Sequence, residues 1–290
     1  MQTSKIFLQH TLWLWTEVAF ACRIVYYLLI KGLVSSPAAL LKGKTTEANL
    51  QINVSKLDPQ TGGWICTNNP SDPQPLGASN PCMRTTCTET ETSTLAHESN
   101  SIFPYLEELY PANSDQRPAL KGDTLLLIAK SPDLLAQINL LGMNTNYFLR
   151  NIITIHGNII GLSPSDQNRT AALNARHWET QTLLKIQDWA ITCNNFLDHD
   201  KSGGWLTPGI SENPGVVDVA LAANHRFVEL MYGIDMLAVD EKLAPPREWY
   251  DRFRQQNWWK DFEEREDIVP KVLKGGKGDR ASWVKEEDGI

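Results

Sequence analysis

The sequence has few cysteines, and none of them forms a C-x-x-C pair. Cys22, Cys66, Cys82, Cys87 and Cys193 are odd in number and widely spaced. That pattern excludes a disulfide scaffold and a zinc module, and it points to a reducing, intracellular setting. The chain lacks a P-loop, a dinucleotide G-x-G-x-x-G, a G-x-S-x-G elbow and an H-x-x-x-H pair. Nucleotide, serine-hydrolase and zinc-protease chemistry therefore have no motif to stand on. A basic excess is absent too. The net charge is -7 and the pI about 5.4, which argues against a nucleic-acid surface.

A long uninterrupted apolar run is also missing. Residues 6–34 are rich in apolar and aromatic side chains, but His10, Glu17, Arg23 and Lys31 break the run. A membrane helix needs about 20 mostly apolar residues. Each charge at a bilayer centre costs about 2.5 to 3.5 kcal/mol on insertion scales. Glu17 also falls where a signal peptide keeps its apolar core. The expectation is a buried strand over 6–12 and a helix over 17–32, closed by Gly32, with a membrane tether over 6–34 as the less favoured alternative. Asn53-Val-Ser55 and Asn168-Arg-Thr170 match the glycosylation pattern, and without a secretion signal they read as chance matches.

What is present begins with length: 290 residues, 42% hydrophobic, enough for one or two packed domains. Local chemistry concentrates at 98–111. Ile102, Leu106 and Leu109 recur at helical spacing, flanked by Phe103 and Tyr105, which leaves Glu107 and Glu108 for the outer face. Ser99 suits the N-cap position. The free amides and the dipole of the helix start suit an anion such as a carboxylate. Glu98 could accept hydrogen bonds from an ammonium group. A ligand with amine and carboxylate on one carbon fits such a corner. An ordinary capped amphipathic helix fits the same residues.

The same stretch resembles the Glu-Ser-x-x-Ile-x-x-Tyr-Leu segment of the glutathione transferase superfamily. Asn80-Pro81-Cys82-Met83-Arg84-Thr85-Thr86-Cys87 resembles the family's Asn-Pro-x-Gly-Arg-Val-Pro-x run. The resemblance implies that Glu98 and Ser99 hold the γ-glutamyl end of glutathione. It also implies that backbone at Thr85 and Thr86 pairs with the tripeptide, Thr86 replacing the family's proline. His10-Thr11-Leu12-Trp13-Leu14-Trp15 resembles the His-Pro-Leu-Cys-Pro-Trp loop of cysteine-type members, with Trp13 at the cysteine. Trp13 cannot be a thiolate. Thr11 and Thr16 are the nearby hydroxyls that could donate to the glutathione sulfur, and Thr11 is the catalytic candidate.

Residues 35–79 resemble the family least. A strand is expected near 50–54. Residues 58–79 are dense in Pro, Gly, Asn and Ser and read as an irregular insertion, a lid, or an artefact of gene prediction. Residues 112–122 read as a linker. Beyond it, Ser131-Pro132-Asp133 is expected to open a helix to about 155, with Leu134, Ile138, Leu141, Phe148 and Ile152 buried. Ser165-Asp166 is expected to cap a helix over 168–193. The run 198–204 lacks the spacing of a calcium loop. Gly215-Val-Val-Asp218-Val-Ala-Leu resembles the start of the family's buried central helix, where Ser/Thr and Asp form a capping box. Asp218 keeps its half, and Gly215 lacks the other. A further helix is expected over 248–262. His177, Trp178 and His225 read as packing or surface residues.

The expected fold is an α/β thioredoxin-like domain over 1–111, an all-α domain over 125–265 and a tail over 266–290. The resemblance implies glutathione as co-substrate, no metal, and a small apolar electrophile seated near Asn144, Tyr147 and Phe148. It further implies a cytoplasmic homodimer serving detoxification or secondary metabolism, as in fungal relatives, with no nucleic-acid partner. A non-catalytic binding or assembly module of the same fold is the alternative.

Overall fold

The computed structural model describes residues 8–58, 60–113, 117–153, 162–194, 204–210, 212–270, 281 and 283–284. The expectations for 198–203 and for most of 271–290 lie outside those residues. The described residues of Met1–Leu120 and Gln256–Lys271 form one compact unit, and those of Lys121–Gln255 and Val272–Ile290 form another.

The first unit contains β1 (Leu8–Leu14), α1 (Ala19–Ile30), α2 (Pro37–Leu41), β2 (Leu50–Leu57), β3 (Trp64–Cys66), β4 (Cys82–Cys87), β5 (Thr92–Ala96) and α3 (Ser99–Leu109). Its sheet has the order β3-β2-β1-β4-β5. β1 and β2 are parallel and the other pairs antiparallel. β1 reaches Leu14 rather than stopping at Leu12, because Trp13 and Leu14 are fully buried and continue the ladder opposite Asn53 and Val54. α1 begins at Ala19, not Glu17, with extended Val18 at the N-cap. Gly32 follows its end in the left-handed region, φ 73°, where glycine carries no steric cost.

Strand alternation sorts β1 onto two faces. His10, Leu12 and Leu14 share one face, and the His10 ring meets Tyr105 of α3 at 5.6 Å. Thr11 and Trp13 share the other, which residues 67–79 cover. Trp13 Nε1 donates to the Asp72 carbonyl at 3.0 Å, and Asn53 Nδ2 donates to the same oxygen at 2.9 Å. Arg84 grips the Asp72 carboxylate with both terminal nitrogens, at 3.1 and 2.8 Å. Ala78 packs with Trp13 and Cys82 beneath the loop. The Pro- and Asn-rich run is thus the cover of a sheet face.

Glu107 was expected on the outer face of α3, yet it is buried. Lys31 at the end of α1 lies 2.9 Å from its Oε1, and the Tyr27 hydroxyl donates to the same oxygen at 2.7 Å. Burial raises the Tyr27 phenol well above its ordinary range. α1 also draws in the segment after 255. Tyr26 donates to Glu263 at 2.7 Å and its ring stacks among Trp258, Trp259 and Phe262. The single helix expected over 248–262 is therefore two pieces. Trp249 and Phe253 belong to a helix of the second unit, while Trp258 and Phe262 belong to the first unit.

The second unit holds α4 (Leu125–Ile152), α5 (Arg169–Asn194), α6 (Val216–Tyr232) and α7 (Ala244–Phe253). α4 starts two turns before Ser131, because Thr124 caps it by accepting from the Leu127 amide at 3.3 Å. Pro132 therefore lies inside the helix. Leu134, Ile138, Leu141, Phe148 and Ile152 are buried as expected. By length and composition α4 could cross a membrane, alone among helices of the described residues. It pairs antiparallel with α5 through Asn144–Thr182, Thr145–Glu179 and Phe148–Arg176. α5 is capped by Asn168, which accepts from the Ala171 amide at 3.0 Å, rather than by Ser165-Asp166.

Candidate functional site

Three short segments of the first unit meet beside the carboxyl end of β1. The first is the loop Trp15–Val18. The second is Ser79–Pro81, which leads into β4 through a cis Asn80-Pro81 peptide. The third is His97–Ser99, at the start of α3. Trp15 N donates to Asn80 Oδ1 at 2.7 Å, and Ser79 Oγ donates to the His97 carbonyl at 2.6 Å. These bonds tie the loop, the start of β4 and the start of α3 to one another.

Glu98, not Ser99, occupies the N-cap position of α3, with extended backbone at φ -114° and ψ 137°. Its side chain makes no capping bond and is exposed. Ser99 is the first helical residue and is only 2% exposed. Arg23 of α1, fully buried, points Nη1 at Ser99 Oγ from 3.5 Å. Burial lowers the Arg23 guanidinium to about 10, an effect the Glu98 charge opposes. At that value it still carries its charge at neutral pH. A cation, a hydroxyl and the unladdered amides of a helix start thus converge, with a carboxylate at their rim. Next to them, Asn100 Oδ1 is enclosed without a hydrogen-bond partner among the described residues. The helix-start amides suit a carboxylate, with the buried Arg23 adding positive charge behind Ser99, and the exposed Glu98 suits an ammonium.

Thr85 and Thr86 do not join this corner. Both lie within β4, which is flanked on both sides. Thr85 is paired with His10 and Thr94, and Thr86 with Gln9 and Ser93. Their backbone groups belong to two ladders, and their hydroxyls bond His10 Nδ1 and Ser93 Oγ. The residue of this strand entry that is bonded to the start of α3 is Ser79, through the His97 carbonyl.

Thr11 is likewise inside a strand. It pairs with Gln51 and Arg84, is 7% exposed, and receives Arg84 Nη2 at 3.4 Å on the face covered by 67–79. Trp13 is a core residue of that face, with Arg84 4.8 Å above its ring. The loop after β1 holds Thr16 instead. It is 4% exposed, and its carbonyl accepts from Cys22 Sγ at 3.1 Å.

In the second unit, Phe148 is fully buried and Asn144 is bonded to Thr182. Tyr147 is exposed and lines a hollow with Met143, Asn146 and Arg150. Asp218 and Gly215 form the cap of α6. The buried Asp218 carboxylate accepts from Gly215 N at 2.9 Å, Leu206 N at 2.7 Å, Thr207 N at 3.0 Å, Thr207 Oγ1 at 2.8 Å and Trp249 Nε1 at 2.8 Å. Burial pushes its carboxyl up, and those bonds pull the other way. Sequence reasoning missed Arg23, Thr207 and Trp249, because each is distant in the chain from the residue it serves. Among the described residues no group of three or more His, Cys, Asp or Glu could hold a metal ion.

No protein-family model and no curated protein matches the sequence. Solved structures do match in shape. A glutathione transferase family member from Pseudomonas fluorescens Pf-5 with two glutathione bound aligns at TM-score 0.55 and 11% identity, over 90% of this chain and 95% of its own. Another from that organism, with bound glutathione, aligns at 0.54 and 14%, over 88% and 98%. A maleylacetoacetate isomerase from Anaeromyxobacter dehalogenans 2CP-1, with bound dicarboxyethyl glutathione and citrate in the active site, aligns at 0.50 and 15%, over 93% and 96%. The chain therefore has the glutathione transferase fold, a thioredoxin-like mixed sheet followed by a helical unit.

Proposed function

We propose that this protein binds glutathione and uses it against a small apolar electrophile, by conjugation, isomerisation or reduction. The observation that carries the reading is the corner of Arg23, Glu98 and Ser99 at the start of α3. It offers a cation and helix amides for the γ-glutamyl carboxylate, and an exposed carboxylate for the ammonium. Structural neighbours with bound glutathione on the same fold support the choice of ligand. The segment Ser79–Pro81, bonded to the loop after β1 and to His97, takes the place of Thr85 and Thr86 in this proposal as the partner of the tripeptide. Thr16 replaces Thr11 as the hydroxyl nearest the sulfur position. The electrophile is assigned to the hollow at Tyr147. A homodimer acting in the cytoplasm, in detoxification or secondary metabolism, completes the proposal. Fold alone does not decide chemistry. Isothermal titration of glutathione, followed by turnover of a chromogenic electrophile such as 1-chloro-2,4-dinitrobenzene, tests both halves. Binding with turnover supports the enzyme, and binding without turnover across a panel of electrophiles supports the non-catalytic module.

A further inference from the structure

Glu17 is a charged side chain with one donor. It lies between β1 and α1 and is 6% exposed. Trp15 Nε1 donates to its Oε2 at 3.1 Å, and among the described residues no other group bonds or pairs with it. Its second oxygen, Oε1, is not enclosed. The start of α1, two residues on, offsets part of the charge through the helix dipole. The second oxygen is left unused.

Trp15 has a second neighbour. Its ring meets that of Trp64 at 5.6 Å between centroids and 72° between planes. Both indoles are half-buried. Two indoles near a right angle form a corner with electron-rich faces, and such faces attract organic cations. The corner is fixed in place. Trp15 N is held by Asn80 Oδ1 at 2.7 Å, and Trp64 pairs with Leu57 at the end of β2. Trp15 directly follows β1. Both rings therefore stand at the carboxyl ends of the two parallel strands, the edge at which open α/β sheets take ligands.

We propose that Glu17, Trp15 and Trp64 form a binding site for an organic ammonium group. Oε1 supplies the charge contact and the two indoles supply the faces. One carboxylate beside a pair of indoles offers too few oxygens for a hard metal cation. The site lies on the loop Trp15–Val18, which also meets the start of α3 through Asn80 and Ser79, but its contacts are its own and do not require glutathione at the Glu98–Ser99 corner.

The test uses choline as the probe, titrated into the full chain and read by calorimetry and tryptophan fluorescence. Its neutral isostere, 3,3-dimethyl-1-butanol, is titrated in parallel. Choline is expected to bind saturably and to perturb the fluorescence, and the alcohol is not. Glu17→Gln is expected to weaken choline about tenfold, the loss of one charge contact. Trp64→Leu is expected to weaken it and to remove most of the fluorescence change, and it decides the matter if Glu17→Gln fails to fold by circular dichroism. Choline bound instead at the exposed Glu98 carboxylate would be lost in Glu98→Gln and kept in Glu17→Gln, and that result would overturn the proposal. Absence of saturable choline binding, equal binding of the alcohol, or unchanged affinity in the folded variants would overturn the proposal.

Discussion

Thr207 does for α6 what Gly215 cannot. Gly215 stands at the N-cap without a side chain, and the Thr207 hydroxyl, from the preceding loop, accepts the Val217 amide at 2.9 Å and faces the Asp218 amide at 3.4 Å. It donates in turn to Asp218 Oδ2 at 2.8 Å. The two halves of a capping box are thus split between a loop residue and the helix, and both are fully buried. Thr207→Val keeps the shape and removes the hydroxyl, leaving buried amides and a carboxylate short of partners. The expected cost is about 2 to 4 kcal/mol in urea unfolding, with Thr207→Ser recovering most of it. Equal stability of Thr207→Val and parent would show that the hydroxyl does not cap the helix.

Lys31 and Glu107 form a buried pair, with side chains 0% and 3% exposed. Lys31 also donates to the Pro118 carbonyl at 2.9 Å. Lys31→Met strands the Glu107 carboxylate and is expected to cost about 3 to 5 kcal/mol. Adding Glu107→Leu should restore much of that loss, because replacing both members of a buried pair is often close to neutral. Additive losses in the double mutant would contradict the pairing.

His225 on α6 is 2% exposed and stacks edge-on against Tyr250 at 4.3 Å. Burial lowers its imidazole to about 4. Asp235 and Glu229 oppose that shift, and Arg226 and Arg254 add to it. Its unfolded value is about 6.5. The unfolded chain therefore binds the proton more readily between pH 6.5 and 4, and stability falls as the pH falls through that window. The slope from this residue is at most about 1.4 kcal/mol per pH unit. His225→Phe should flatten the decline of Tm between pH 7 and 5. An unchanged decline would assign it to other groups.

Much of this fold could be read from the chain. The helical spacing of Ile102 and Leu106 and the apolar positions of α4 lie where the sequence puts them, because burial follows periodicity. The Glu98–Ser99 stretch does begin a helix, one residue out of register. What failed was local register and long-range pairing. The strand was expected to stop at Leu12, with His10 to Trp15 resembling the loop after it, but pairing with β2 carries it through Leu14. The resemblance gave the backbone of Thr85 and Thr86 to the tripeptide, but strands on either side occupy it. Arg23 was counted only as an interruption of an apolar run. Its partner Ser99 lies 76 residues away, and no pattern of short period links the two.

Residues 58–79 read as an irregular insertion because composition reveals neither the short strand β3 within them nor the anchoring of 67–79. Asp72 holds the loop through Arg84, Asn53 and Trp13, with the Arg84 and Asp72 side chains 32% and 26% exposed. Partial exposure screens the ion pair, so Arg84→Ala is expected to cost only about 1 kcal/mol overall. Local opening should rise more visibly. Limited proteolysis is expected to cut within 67–79 faster in Arg84→Ala than in the parent, and equal cutting would show that Asp72 does not anchor the loop.

The glutathione reading itself is tested most directly by titrating glutathione into the parent, Ser99→Ala and Arg23→Met by calorimetry. Saturable binding by the parent, and loss of most of it in both folded variants, is the predicted result. A parent that does not bind, or variants that bind as the parent does, would contradict the assignment of the α3 corner as the seat of the γ-glutamyl group.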